Sequence, residues 1–439
     1  MNDRNRHGWF SGLAAGALLA LMLLLLLHGT PQAAHGDSGA LFVRPDGSGT
    51  LCTQAQPCAL ETALGQVTHG DTLYLAGGVY TGGGEAVVAT DKNVVLYGGW
   101  DGTTSTPPVR NATLYPTTLD GENARRGVYI SGGTPTLDGL IITRGQSSYS
   151  GGGIAAERAH ATIRNCQIVD NSAPGDGGGI FVNGGSAQIL YSRIISNTAN
   201  WAAGLRIINN ADAVLIGNEI RANVAQNSGG GVYVDCCGGT TPLIAQNRIV
   251  GNDGGSAGGG VRVESTNARL VNNLIAGNQA TSGAGVWLGG AASYPVDASL
   301  THNTLVAHSS GGEAVWVGAY VTATFVNDLL TGHTVGITNT MPANSTLGAD
   351  HNLFWNADDP IVGTNAVLAD PLLDETYHLT AGSPARDAGA AVDVSADLDG
   401  DLRPLGGYDI GADEFALRCF LPLLVTNRPE LLDFTVKID

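Results

Sequence analysis

The sequence predicts an all-β protein, a right-handed parallel β-helix capped at both ends, and three observations carry that expectation. First, one phrase recurs seven times between about Gly151 and Val335. A glycine cluster runs into a short apolar strand at Gly151-Gly152-Gly153-Ile154, Gly177-Gly178-Gly179-Ile180, Ala202-Ala203-Gly204-Leu205, Gly229-Gly230-Gly231-Val232, Gly258-Gly259-Gly260-Val261 and Gly283-Ala284-Gly285-Val286. A degenerate copy, Gly311-Gly312-Glu313-Ala314-Val315, closes the series. The steps between the marked apolar residues are 26, 25, 27, 29, 25 and 29, a period that reads as a solenoid. Second, apolar residues alternate with period 2 within each copy (Ile180, Val182; Val261, Val263), which suits strands, and a copy is too short for two helices and their connections. Third, each copy ends on a phrase of the form N-x-I-x-x-N, such as Asn273-Leu274-Ile275-Ala276-Gly277-Asn278.

That closing phrase predicts two ladders. Its first position reads Cys166, Ser192, Asn218, Asn247, Asn273, Asn303, Asp328, and its last reads Asn171, Asn197, Asn223, Asn252, Asn278, His308, His333. Small polar side chains in stacked register bond along the axis, as in cross-β asparagine ladders. Each coil then buries an inner row of Ile, Val, Leu and Ala, while glycine serves the sharp corners.

The rest of the chain is organised around this stretch. Residues 1–34 read as an export signal: Arg4 and Arg6 precede the apolar run Leu13 to Leu27, with Ala33 and Ala34 behind it. Cleavage near Ala34 is one outcome; retention as an anchor is the other, since Trp9 to Leu27 nearly reaches membrane thickness. Residues 35–93 read as an N-terminal cap with a helix from about Leu60 to Val67 and a strand Thr72 to Leu75. A cap is required because a solenoid exposes its core at each end. The β-helix is expected over 94–356, a C-terminal cap over 357–416 that folds back to cover the last coil, and a tail over 417–439.

Export places the cysteines in an oxidising compartment, where Cys52 and Cys58 would pair across a short loop. Cys236 and Cys237 are adjacent, Cys166 falls in the first ladder, and Cys419 has no evident partner. A formal net charge of −18 argues against nucleic acid or an anionic membrane surface as partner. Only 14% of residues are charged, against about a quarter in ordinary globular chains. Small polar exteriors over β-coils account for the low value.

The segments "GDTLYLAGGVYTG", "VVLYGGWDG" and "TTLDGENARRGVYISGG" resemble those of secreted bacterial right-handed β-helix proteins of the pectate-lyase-like superfamily. The stretch "LLDETYHLTAGSPARDAG" with "DLDGDLRPLGGYDIGADEF" resembles the domain that ends the choice-of-anchor Q proteins. With the repeats, the resemblance spans about residues 41–416. It implies a secreted or surface β-helix of a bacterium, without implying a defined activity.

Chemistry is sought on the outward columns of the first strand. One column reads Ala155, Phe181, Arg206, Tyr233, Arg262, Trp287, Trp316; two places on come Glu157, Asn183, Ile208, Asp235, Glu264, Gly289, Gly318. Aromatic faces stack on sugar rings, and Arg and carboxylates bond hydroxyls or uronates. Phe181, Arg206, Tyr233, Arg262, Trp287 and Trp316 are therefore the carbohydrate-binding candidates. The leading expectation is non-catalytic binding of polysaccharide or envelope glycan along this face, without a required cofactor. The alternative is a lyase or glycoside hydrolase using Arg206, Asp235, Arg262 and Glu264. Inverting hydrolysis needs two carboxylates about 6.5–9.5 Å apart, and β-elimination a metal with a basic side chain. A third reading, purely structural, requires the aromatic column to be buried. Asp397, Asp399 and Asp401 alternate like a short calcium loop, although no distal glutamate follows.

Overall fold

The computed structural model describes residues 39–209, 211–235, 239–307, 312–357 and 361–416. The expected export signal, Cys236, Cys237, His308, Cys419 and the tail 417–439 lie outside the described residues. Among the described residues no helix is long and apolar enough to cross a membrane.

Strands of successive coils pair in parallel, and the marked residues stand directly above one another. Ile154 pairs with Ile180, then Leu205, Val232, Val261, Val286 and Val315 follow in register. All seven are fully buried. Each such burial stabilises by about 1.5–3 kcal/mol, so the inner row is the main apolar term. The stacked strands form a 20-stranded sheet, a 12-stranded sheet and a short 3-stranded one made of Ser172–Asp176, Thr198–Trp201 and Val224–Ser228.

Both ladders form. Asn218 donates through its backbone N–H and Nδ2 to Asn247 Oδ1 at 3.0 and 2.9 Å, and its Nδ2 also reaches Ile189 O at 2.7 Å. The pattern repeats from Asn247 to Asn273 and from Asn273 to Asn303. The second ladder runs from Asn171 through Asn197, Asn223 and Asn252 to Asn278 with the same bonds. Burial is tolerable for these amides because each is satisfied by the coils on either side. One residue before the first ladder the chain turns through left-handed backbone at Asn165, Tyr191, Gly217, Gln246, Asn272, His302, Asn327 and His351. Asn and His tolerate that region better than most residues.

Stacking begins earlier than the expected boundary at residue 94. Ala40–Val43 already pairs in parallel with Thr72–Ala76, and that strand with Val95–Trp100. The cap is thus the first coils themselves plus one helix, Leu60–Gln66, whose Leu60 and Ala63 join the core cluster and cover its open end. Cys52 and Cys58 are joined by a disulfide beside this helix. At the other end Val367–Leu368 adds a last parallel strand to Leu353–Trp355, and Ile361, Val362 and Ala366 pack on the core.

The C-terminal module packs on Leu353 of the late coil and extends from there along the flank of the helix. It docks on the corner residues: Gln246 Nε2 donates to Asp397 O, Asn272 Nδ2 to Ala396 O, and Asn327 exchanges two bonds with Ala390. The reason is chemical. Left-handed corners leave amide side chains outward, and these bond the loop backbone of the module. Leu379, Ala385 and Ile410 then bury Leu329 and Leu353 in a second small core.

Candidate functional site

The column is continuous in register. Tyr129 pairs with Ala155, followed by Phe181, Arg206, Tyr233, Arg262, Trp287, Trp316 and Thr338. Room for these side chains comes from the positive-φ residue that opens the cluster, glycine at Gly151, Gly177, Gly229, Gly258 and Gly283 and the small Ala202 in the third copy. A Cβ on Gly229 would meet Tyr233 Cβ at 2.9 Å, and one on Gly258 would meet Arg262 Cβ at 2.5 Å. Larger residues there would strike the column as well as strain the backbone.

Within the column the side chains stack on one another. The Arg206 guanidinium lies 3.6 Å from the centre of the Tyr233 ring, and that of Arg262 lies 4.6 Å from the same ring and 4.4 Å from Trp287. Trp287 and Trp316 stack at 4.9 Å with 9° between their planes. The result is a cation–aromatic pile whose faces mostly touch each other. Phe181, Arg206 and Tyr233 are 5%, 9% and 3% exposed, the Arg262 side chain is only 12% exposed, and Trp287 and Trp316 are partly open. The column is therefore closed as far as Arg262 and opens at its two tryptophans.

Carboxylates compensate both arginines. Arg206 Nη2 bonds Asp235 Oδ2 at 2.6 Å, and its Nε lies 3.6 Å from Asp176 Oδ1. Arg262 Nη2 bonds Glu264 Oε2 at 2.7 Å, and its Nη1 donates to Ser228 Oγ. Tyr233 also donates to Glu264. Burial raises the carboxyls of Asp176 and Asp235 above their ordinary value, opposed by Arg206. Burial likewise raises the Tyr233 hydroxyl.

Asp235 and Glu264 do stand on paired positions of adjacent coils. Each is held by an arginine of the column, so the four residues of the catalytic alternative form two ion pairs. Asp176 and Ser228 escape a reading of the first strand, because they belong to the neighbouring 3-stranded sheet. Only the coil path brings them to the arginines.

The aspartate run does not form a calcium cage. Asp397 Oδ1 accepts the N–H groups of Asp399 and Asp401, and its Oδ2 accepts that of Glu414. Asp399 turns away to Arg248 and His378. The alternation that suggested a cation site is a turn whose first carboxylate caps backbone donors.

Residues 104–275 match the family model described as right handed beta helix region. The chain is a right-handed β-helix. It is similar to the pectate lyase Pel9A at 14% identity and TM-score 0.48, covering 87% of this chain and 97% of that one. It is also similar to the PL6 family alginate lyase AlyGC (15%, TM-score 0.41, 85% of this chain and 58% of that one). A third similarity is to the A-module of the Azotobacter vinelandii mannuronan C-5 epimerase AlgE6 (16%, TM-score 0.41, 76% and 92%). No curated protein matches the sequence.

Proposed function

We propose that this is an exported bacterial surface protein that binds a neutral polysaccharide, without cleaving it, along the open end of the column. Residues 1–34 serve as its export signal. The observation that carries this reading is the continuous outward row whose last two aromatic members, Trp287 and Trp316, stay partly exposed on adjacent coils. Trp316 ends the pile, and its neighbour on the next coil is the small Thr338. That offers the indoles as the stacking surface for sugar rings.

Charge favours a neutral chain. The two guanidiniums face Asp176, Asp235 and Glu264, so a polyuronate would meet no surplus of positive charge. A lyase on this face would need Arg206 or Arg262 as base, and both are held in ion pairs. The test is a glycan array with the full chain, alongside assays for reducing ends and unsaturated uronates. Binding of neutral glycans without cleavage, lowered about tenfold or more in Trp316→Ala, is expected. Unsaturated product that disappears in Arg262→Ala would establish the lyase instead.

A further inference from the structure

The C-terminal module assembles three side chains that the column does not use. His378, Asp399 and Asp413 each offer one donor atom, and these atoms lie within 4.8 Å of one another. They come from three separate segments of the module. His378 and Asp399 are partly open, while Asp413 is only 8% exposed.

The partners of His378 decide which nitrogen carries its proton. Thr376 Oγ1 donates to Asp374 Oδ1 at 2.8 Å, which uses its single hydrogen. His378 Nδ1 lies 2.7 Å from that same Oγ1. With that hydrogen directed at Asp374, the contact is completed by a hydrogen on Nδ1, the tautomer in which a neutral ring presents its lone pair at Nε2. That lone pair faces Asp399 Oδ2 at 2.5 Å. Two acceptors so close repel unless a cation is shared between them. Asp413 adds a carboxylate whose one hydrogen bond, from Leu379 N to Oδ2 at 2.7 Å, leaves Oδ1 for another partner.

We propose that His378 Nε2 and one oxygen each of Asp399 and Asp413 bind a divalent transition-metal ion of the zinc class. One imidazole with two carboxylates is a borderline N/O donor set, which suits zinc, whereas calcium takes about six to eight oxygens. The Asp374–Thr376–His378 chain is the outer support such a ligand needs to fix its tautomer. The other oxygen of Asp399 bonds Arg248 Nη2 at 2.9 Å, on the coil strand Arg248–Val250. A bound ion thus ties three segments of the module together where the module grips the helix. This site is independent of glycan binding.

The chelator-treated full chain would be titrated with Zn2+ by calorimetry and with Co2+ by visible absorption. One equivalent of each is expected, with a zinc-dependent rise in Tm. His378→Gln and Asp413→Asn should each weaken binding about 100-fold or more, and Thr376→Val about 10–100-fold. Asp413→Asn keeps the acceptor for Leu379 N, and circular dichroism in chelator checks that each variant is folded. Asp399→Asn, which keeps an oxygen toward Arg248, gives a second ligand variant. Full-chain protein that takes up neither metal overturns the site and puts a proton between His378 and Asp399. Unchanged affinity in the folded His378→Gln and Asp413→Asn variants overturns it equally.

Discussion

Asp328 stands where the first ladder otherwise uses asparagine. Asn303 donates to its Oδ1 through N–H and Nδ2 at 2.7 and 2.9 Å, and Asp328 N–H donates to Asn352 Oδ1. Its Oδ2 occupies the place of an amide nitrogen and is buried without a hydrogen-bond partner. Burial pushes its carboxyl up to about 7 from 3.8. The folded chain therefore holds this proton more tightly than the unfolded chain. That contribution is full below pH 3.8, falls as pH rises toward 7, and is absent above. Asp328→Asn does not titrate and restores a donor. Its stability advantage over the parent should widen from pH 4 to 7 and then level, reaching on the order of 4 kcal/mol. Chemical denaturation of both chains across that range is the measurement; a gap independent of pH would mean that Asp328 is ionised throughout. The ladder position was legible in the sequence. The missing donor was not, since Asp and Asn look alike until Asn303 is known to direct both its donors at one oxygen.

At the scale of the element, the ladder and the column obey different rules. A ladder asparagine is satisfied on both sides, so its loss strands several groups at once. Asn218→Ala removes the acceptor of Ser192 N and the donor to Ile189 O, inside a fully packed coil. The expected cost is about 2–4 kcal/mol in denaturant unfolding, against near neutrality for an outward position such as Asn200→Ala. The column depends instead on empty space. A Cβ on Gly289 would stand 2.3 Å from the tip of the Trp287 indole, and one on Gly318 would stand 2.7 Å from that of Trp316. Gly289→Ala should push Trp287 out of the stack, reduce the paired-indole signal in near-ultraviolet circular dichroism, and lower glycan affinity in parallel. Retention of that signal would show that the ring has room to tilt. The order of the column residues was legible because coil register follows the period. Their stacking was not: alternation tells which residues point outward, and says nothing of whether Arg262 reaches solvent or lies on Trp287.

At the scale of the whole molecule, the module meets the helix beside a buried ion pair of its own. Arg403 Nη1 bonds Glu414 Oε2 at 3.0 Å with both side chains fully enclosed, and Arg403 also reaches the carbonyls of Asp409 and Gly411. His302, from the coil corner, lies against the same guanidinium at 3.0 Å. Burial and Arg403 hold its imidazole neutral, at about 2, so acid within the ordinary range does not charge this joint. The docking was illegible in the sequence because Gln246, Asn272, His302 and Asn327 read as plain corner residues, each more than 60 positions from its partner. Arg403→Met would leave Glu414 buried without its cation, a loss of about 3–5 kcal/mol in the module. The coils below rest on their own ladders, and a solenoid transmits strain only between neighbours. Limited proteolysis should therefore cut Arg403→Met between residues 369 and 416 while the coil core survives and melts near the parental temperature. Arg403→Met with Glu414→Gln should recover much of the resistance, because no unpaired charge remains. If the coils instead unfold together with the module, the flank is part of the cooperative core, and the helix from Gln246 onward needs its module to stand.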